Sequence, residues 1–502
     1  MSYSALEEHF RRLGHLQHAT AILSWDEAVI MPPASGRKRA ETMGTLQVMI
    51  HEQLTAPALP ALIARAEEQA LAGNLTHPQV ANVREIRRAV QRAQGISSEL
   101  VARSAEAQLR CEQAWRTQRK DNDFAGFLPL LTEVVSLRRE AAAQLGEALG
   151  LTPYDALLDE YEPGCKAEAL DRVFASLRSF LPALTDEVLA RQAGETVHVP
   201  RGPFPIPAQR ALGEAMMRAI GFDAEHGRLD VSHHPFCGGV PSDVRITTRY
   251  KEHDFTGALM GVLHETGHAK YEQGLPSEWG LQPVGAARGM AMHEGQSLCS
   301  EMQVSRSREF LEFLVPHVHA AFPDAVRDQP EAYTVDNLYR FFTRVERSKI
   351  RVDADEVTYP SHILVRYELE RKLIAGSMHV SDLPDAWDAG MRELLQIGTG
   401  DDYRDGCMQD VHWPSGAFGY FPTYTLGALT AAQLFQAAVQ KVPSIPDEIR
   451  RGSFTHLNDF LRDAVWSQAS ILPGDELLRR ATGETLDARY FEAHLRRRYL
   501  SI

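Results

Sequence analysis

The sequence predicts a mainly α protein, a large helical bundle-like fold with one small β-sheet set beside a helix that carries paired histidines. Three observations predict it. Residues 1–195 are rich in Ala, Leu, Glu, Arg and Gln, with apolar residues at three- and four-residue spacing. Alternating β-branched segments occur only in the middle of the chain. From Val335 onward the helical spacing returns.

Taken in order, the spacing predicts helices over Leu6–His18, Arg39–Leu54, Val80–Arg92, Ser97–Arg119, Phe127–Leu145 and Ala167–Arg191. Met31-Pro32-Pro33, Thr76-His77-Pro78 and the polar, aromatic Leu151–Gly164 stretch mark breaks between them. Strands are expected at Thr196–Val199, Arg228–Val231 and Val244–Tyr250, each bounded by Gly and Pro. Next comes a helix with Asp254 as N-cap, an apolar stripe of Phe255, Ala258, Leu259, Val262 and Leu263, and Gly274 as its stop. Another helix is expected from about Met290 to Ser305, with Glu294, Leu298 and Glu301 on one face. Ordered loops are expected at Arg351–Tyr359 and Gly406–Gly419. No stretch reads as a flexible linker and no repeat has a fixed period, so 1–502 is expected to be one domain. Within it, 1–195 forms a helical wall or lid and 196–502 the core that carries the site.

The chemistry concentrates at His264-Glu265-Thr266-Gly267-His268. Two histidines four apart on a helix share one face, one turn apart, so both imidazoles can reach one cation. Zinc suits nitrogen and carboxylate ligands, and a catalytic zinc keeps one of four positions open, so a third protein ligand is required. Glu294 is the best-placed carboxylate, with Glu272, Glu301 and Asp254 as alternatives; Glu265 is the candidate general base. Cobalt or manganese would also suit such ligands. A strand edge followed by this helix suits a peptidase that lays its substrate along the strand.

Composition excludes other classes. A net charge of −14 with no basic run argues against nucleic acid as a partner. Five scattered cysteines without C-x-x-C spacing read as reduced thiols. The opening residues lack a secretory layout and no window approaches a membrane span, so a cytoplasmic protein without membrane partners is expected.

Several ordered motifs together resemble the carboxypeptidase Taq family of metallocarboxypeptidases. They are Asp243-Val244-Arg245-Ile246-Thr247, the His264–His268 motif, His293-Glu294-Gly295-Gln296, Ile350-Arg351-Val352-Asp353-Ala354-Asp355, and Gly406-Cys407-Met408-Gln409-Asp410-Val411-His412-Trp413. Ser24-Trp25-Asp26 through Met31-Pro32 and Arg39-Ala40-Glu41 extend the likeness over essentially the whole chain, and Gly295, where serine is more usual, is a small departure. The resemblance implies a helical fold with a deep groove, a homodimer, and removal of single residues from peptides with a free C-terminus. It makes His264, His268 and Glu294 the metal ligands and Glu265 the base.

The resemblance also offers Arg351 to the terminal carboxylate, which a guanidinium fork binds in two places; its alternative use is an ion pair with Asp353 or Asp355. Arg245 is a second candidate at the groove, where it and Asp243 shape the wall. His412 with Tyr424 or Tyr420 supplies hydrogen bonds to the oxyanion, Tyr424 being favoured, and Gln409 and Asp410 are expected to orient His412 or a ligand. An oligopeptidase or dipeptidyl carboxypeptidase on a similar scaffold would share the metal chemistry and differ in how the chain end is held. A metal-stabilised peptide-binding scaffold would keep the ligands and have no use for Glu265.

Overall fold

The computed structural model describes residues 2–501. It begins with α1 (Ser2–Val29), which runs on through Ser24-Trp25-Asp26 and ends just before Pro32 and Pro33. There follow α2 (Gly36–Leu54), α3 (Leu59–Leu71), α4 (His77–Gln94), α5 (Ser98–Lys120), α6 (Phe124–Leu149), α7 (Pro153–Tyr161), α8 (Ala167–Gln192) and α9 (Ile206–Ala219). Side-chain caps set several starts: Ser97 accepts from Leu100 N–H and Thr152 from Asp155 N–H. Two of these helices, α3 and α9, lie outside the expected spans. A third, α7, occupies the expected break at Leu151–Gly164, because its polar residues are buried partners: Asp159 accepts from Arg88 and Arg92, and Asp155 from Ala167 N–H.

The sheet has three strands, β1 (Gly227–Val231), β2 (Cys237–Val240) and β3 (Asp243–Thr248), in the order β1-β3-β2. β1 pairs parallel and β2 antiparallel with β3. The expected strand Thr196–Val199 is extended but joins no sheet. Asn337 replaces a neighbouring strand there, its Oδ1 accepting from His198 N–H at 2.8 Å and its Nδ2 donating to His198 C=O at 2.7 Å. The sheet delivers the chain to α10 (Thr256–Gln273), which Asp254 caps through Thr256 N–H at 2.8 Å and Gly274 ends. The expected Met290–Ser305 helix divides into α11 (Met290–Leu298) and a π-helical turn, Cys299–Ser305, of the kind that recurs at functional sites.

The rest is helical: α12 (Arg308–Ala321), α13 (Pro323–Asp328), α14 (Val335–Phe342), α15 (Tyr359–Ala375), α16 (Leu383–Leu395), α17 (Pro422–Lys441), α18 (Ile445–Arg450), α19 (Thr455–Ala464), α20 (Gly474–Thr482) and α21 (Ala488–Leu495). The Arg351–Tyr359 and Gly406–Gly419 segments are loops, the first opening with a short 3₁₀ turn. Among the described residues no helix is long and apolar enough to cross a membrane.

Two large apolar cores divide the molecule. One joins α5–α8 to α15, α16 and α21 through residues such as Phe127, Leu157, Phe174, Ile363, Trp387 and Phe491. The other joins α9, α10, α12, α14 and α18–α20. α17 serves both, with Leu426 and Leu429 in the first and Ala431 and Leu434 in the second. Helices before residue 195 thus share a core with helices after 345, while α1, α3 and α4 close a small core of their own. The site forms where α10, α11 and α17 meet between the large cores.

One buried carboxyl gives this architecture a pH signature. Glu370 on α15 accepts from Gly419 N–H at 2.7 Å, and burial pushes its pKa up to about 8. The folded chain therefore holds a proton that the unfolded chain, with Glu near 4.3, releases, so stability falls as pH rises between those two values. Glu370→Gln keeps an acceptor for Gly419 and removes this loss. Its Tm advantage over wild type is expected to widen from pH 5 to pH 9, by on the order of 3 kcal/mol in stability; a gap that does not change with pH would contradict the assignment.

Candidate metal centre and substrate cavity

His264 and His268 project from α10 and Glu294 from α11, and one ligand atom from each lies within 4.8 Å of the other two. Glu294 Oε2 is 3.4 Å from His268 Nε2 and 4.0 Å from His264 Nε2. Donors bound to one tetrahedral zinc at about 2.0–2.1 Å stand about 3.4 Å apart, so this set fits with small adjustments. Among the described residues it is the one such cluster.

Glycine brings the two helices together. A Cβ on Gly267 would stand 2.5 Å from Gln296 O and 2.6 Å from Ser297 Cα, so the backbones meet only because the motif carries glycine here. Gly427 on α17 likewise leaves room for Glu294, whose Cβ and Cγ would lie 2.6 Å from an added methyl. Gly267→Ala is expected to cost about 1–3 kcal/mol and, by parting α10 from α11, to weaken metal binding. Thermal unfolding with a metal titration reads both; an alanine variant matching wild type in each would contradict the close-approach argument.

Hydrogen bonds fix the tautomers. His264 Nδ1–H donates to Glu301 Oε2 at 2.9 Å, and Arg306 Nη2 donates to Glu301 Oε1 at 2.7 Å. His268 Nδ1 stands 2.6 Å from His293 Nδ1, and His293 Nε2 stands 2.7 Å from Glu272 Oε1. A carboxylate only accepts, so His293 donates from Nε2 and its Nδ1 accepts from His268 Nδ1–H. Nε2 is thereby the atom each ligand histidine offers a cation, which at His264 would take the place of the Nε2 proton. Of the alternative third ligands, Glu301 and Glu272 are used as these outer partners and Asp254 as a helix cap.

The electrostatics favour positive charge. Against its burial, Glu294, Glu301 and Glu265 push His264 up to about 10. Glu301, despite burial, is held down at about 2 by Arg306 and His264. Burial, with Glu294 and Glu301 adding to it, raises Glu265 to about 7. A divalent cation in the centre would stabilise the charged form of Glu265.

The centre opens on a cavity of about 650 Å³, lined among others by Glu265, Cys237 of β2, Arg351, Tyr359, Tyr420 and Tyr424. A second cavity, of about 1000 Å³, lies on the far side of the His293–Glu272 pair and is walled by His15 and His18 of α1 and by Val240–Ser242. The first cavity touches β2 at Cys237 and the second at Val240.

Other expected residues are placed as follows. Arg351 is 4 % exposed, and its partner is Asp410, not Asp353 or Asp355. Its Nε and Nη2 donate to Asp410 Oδ1 at 3.1 and 2.9 Å, and its Nη1 donates to Tyr359 OH at 2.7 Å. Asp355 instead caps Val357 and Thr358. Gln409 accepts from Arg351 N–H at 2.8 Å, so Gln409 and Asp410 orient Arg351, where the expected partner is His412 or a metal ligand. Arg245 does not line the cavity beside the His264–His268–Glu294 set. Asp243 holds its guanidinium by two hydrogen bonds, and the group lies 4.3 Å over the Trp25 ring, clamping α1 to the sheet.

His412 also stands back from the cavity, its ring 4.5 Å from that of Phe421 and its Nε2 3.5 Å from Tyr424 OH. Tyr424 and Tyr420 do face the cavity, and burial keeps the Tyr424 phenol protonated. Tyr359, Glu301, Glu272 and Arg306 were not assigned these places from sequence. Glu301, seven residues after Glu294, and Glu272, four after His268, carried a signal as alternative ligands.

Comparisons extend this picture. The carboxypeptidase Taq (M32) metallopeptidase family profile matches residues 5–499. Thermostable carboxypeptidase 1 of Thermus thermophilus is 39 % identical over all of this chain and 99 % of its own length. The protein of the same name from Pyrococcus furiosus is 34 % identical over 98 % of this chain and 97 % of its own. The solved structure of Trypanosoma cruzi metallocarboxypeptidase 1 superposes with a TM-score of 0.96 at 44 % identity, covering 99 % of both chains.

Proposed function

The chain belongs to the carboxypeptidase Taq (M32) metallopeptidase family, and as a member of it we propose that this protein releases single C-terminal amino acids from peptides, with zinc as its cation. The observation that carries the reading is one cavity faced by both the His264–His268–Glu294 set and Arg351. An exopeptidase needs a hydrolytic centre and a group for the chain end within one residue's reach of each other.

The geometry supports the following roles. His264, His268 and Glu294 would hold the cation, which when bound would supply Lewis acidity to water and to the scissile carbonyl. Glu265, 6 % exposed on the same helix, takes the proton of the attacking water and returns it to the leaving nitrogen. Arg351 receives the terminal carboxylate: three of its five N–H groups are used by Asp410 and Tyr359, which leaves two for a ligand. Tyr424, with Tyr420 beside it, donates its hydroxyl to the oxyanion, and His412 holds Tyr424 from behind. His293, Glu272 and Glu301 keep the ligand imidazoles in the required tautomer.

Met290, Leu298, Met302 and Ala428 line the cavity beside charged Arg306 and Glu356, a mixed wall that supports broad side-chain specificity. The proposal includes residues 1–502 as one catalytic unit and a cytoplasmic homodimer. Two peptides that differ only in a free or an amidated C-terminus test the reading. The free acid is expected to be trimmed and the amide left intact; equal cleavage of both would remove terminal recognition from the account.

A further inference from the structure

Behind Arg351 the loops and α15 assemble two arginines around one aspartate. Asp410 Oδ1 accepts from Arg351, while Asp410 Oδ2 accepts from Arg366 Nε at 2.6 Å. Arg366 is fully buried: its Nη1 donates to His362 C=O at 2.7 Å, and its guanidinium lies 4.5 Å over the Trp387 ring. Among the described residues neither arginine has another ion-pair partner.

The titratable groups packed against this cluster, His362, His412, Tyr359 and Tyr424, add no charge; the Glu294 carboxylate, which also acts on Tyr359 and Tyr424, is engaged with His264 and His268. Burial, with Arg366 and Arg351 close by, holds the His362 imidazole well below its usual range and His412 down at about 4. Burial likewise raises the Tyr359 phenol to about 12 and pushes Tyr424 higher still. Asp410 stays ionised, the two guanidinium groups outweighing its burial. Two positive groups and one negative group therefore leave a net charge of one in a buried place, which is costly unless something neutralises it. Arg351 faces the cavity and Arg366 does not, so a ligand meets that charge through Arg351.

We propose that Arg366 is a positioning residue for the substrate's terminal carboxylate: by sharing Asp410 it leaves Arg351 with one uncompensated positive charge for the carboxylate to neutralise. The proposal rests on the reading of Arg351 given above. With Asp410 serving Arg351 alone, the pair would be neutral and the carboxylate would meet only a dipole. Asp410 fixes the fork, and Arg366 keeps it charged.

The test compares Arg366→Met, Arg366→Lys, the double variant Arg366→Met with Asp410→Asn, and Arg351→Ala. KM and kcat are measured on an N-blocked dipeptide, together with inhibition by N-acetylphenylalanine as a free carboxylate probe. Arg366→Met is expected to raise KM and the inhibition constant about tenfold, with kcat within about twofold, since one charge is removed at a distance from the reacting atoms. Arg366→Lys keeps the charge and should stay near wild type. The double variant restores a net charge of one and should recover KM, whereas two losses of mere packing would add. If Arg366→Met fails to fold, the lysine and double variants decide. An Arg366→Met enzyme with wild-type KM, or a folded double variant no better than the single, would overturn the proposal while an impaired Arg351→Ala keeps the reading beneath it; an Arg351→Ala enzyme with wild-type KM would overturn that reading itself.

Discussion

Replacing Glu265 by glutamine is expected to lower kcat about 10²- to 10⁴-fold, the usual contribution of a positioned general base, with KM little changed. Glutamine has the same shape and cannot take a proton. His264, His268 and Glu294 keep their ligand atoms in the variant, since their outer partners are Glu301, His293 and Glu272. Bound metal should therefore remain near wild type. The fold should hold as well, because the substitution removes a buried carboxyl that burial already disfavours as an anion. Steady-state kinetics and metal analysis on the same sample separate these effects. A variant within a few-fold of wild-type kcat would remove Glu265 from the chemistry, and one that has lost its metal would leave a ligand-set effect instead.

The second large effect is expected at Arg351. Truncating one partner of a buried, hydrogen-bonded charge pair costs on the order of 2–5 kcal/mol, so Arg351→Ala should lower kcat/KM for a free-acid peptide about 30- to 4000-fold, mainly through KM. Asp410 is not stranded in the variant, because Arg366 still donates to its Oδ2. The loss should shrink for substrates whose terminal carboxylate is already blocked, since that is the group Arg351 is argued to hold. Equal losses on both substrate types would mean that Arg351 supports the cavity wall and does not read the chain end.

Much of the fold is legible in the sequence because most of its helices lie on the surface of a core. α1, α2, α4, α5, α6 and α8 show one apolar stripe each, and periodicity finds them. α7 does not, since Tyr154, Asp155 and Asp159 are buried together with Leu157 and Leu158, so the polar residues that mimic a loop are interior partners, Asp159 of Arg88 and Arg92, Asp155 of Ala167 N–H and Tyr154 of Glu370. β2 carries Cys-Gly-Gly-Val, poor in strand-forming residues, and becomes a strand through pairing with β3. Thr196–Val199 fails in the opposite way: its alternation is real, but a side-chain amide occupies the place of a neighbouring strand.

The candidate His-His-Glu cluster was legible for a different reason. Spacing on one helix fixes the two histidines relative to each other, and Glu294 reaches them from the next helix. The setting of Arg351 was only half legible. Arg351 could be singled out as a type of residue, but Asp410 lies 59 residues away, and the nearer Asp353 and Asp355 looked like its partners. Local sequence cannot show that Asp355 is used up in capping the next turn. For His412 the neighbourhood was right and the direction was not, since the ring packs on Phe421 and reaches the cavity only through Tyr424.

The most direct test of the central claim is a mass-resolved time course of one N-blocked peptide with a free C-terminus, incubated with the metal-loaded protein, with chelator, and with chelator followed by excess zinc. The account predicts a ladder shortening by one residue at a time from the C-terminus, stopped by the chelator and restored by zinc. Fragments shortened by two residues, internal cleavage, or a ladder indifferent to the chelator would contradict it.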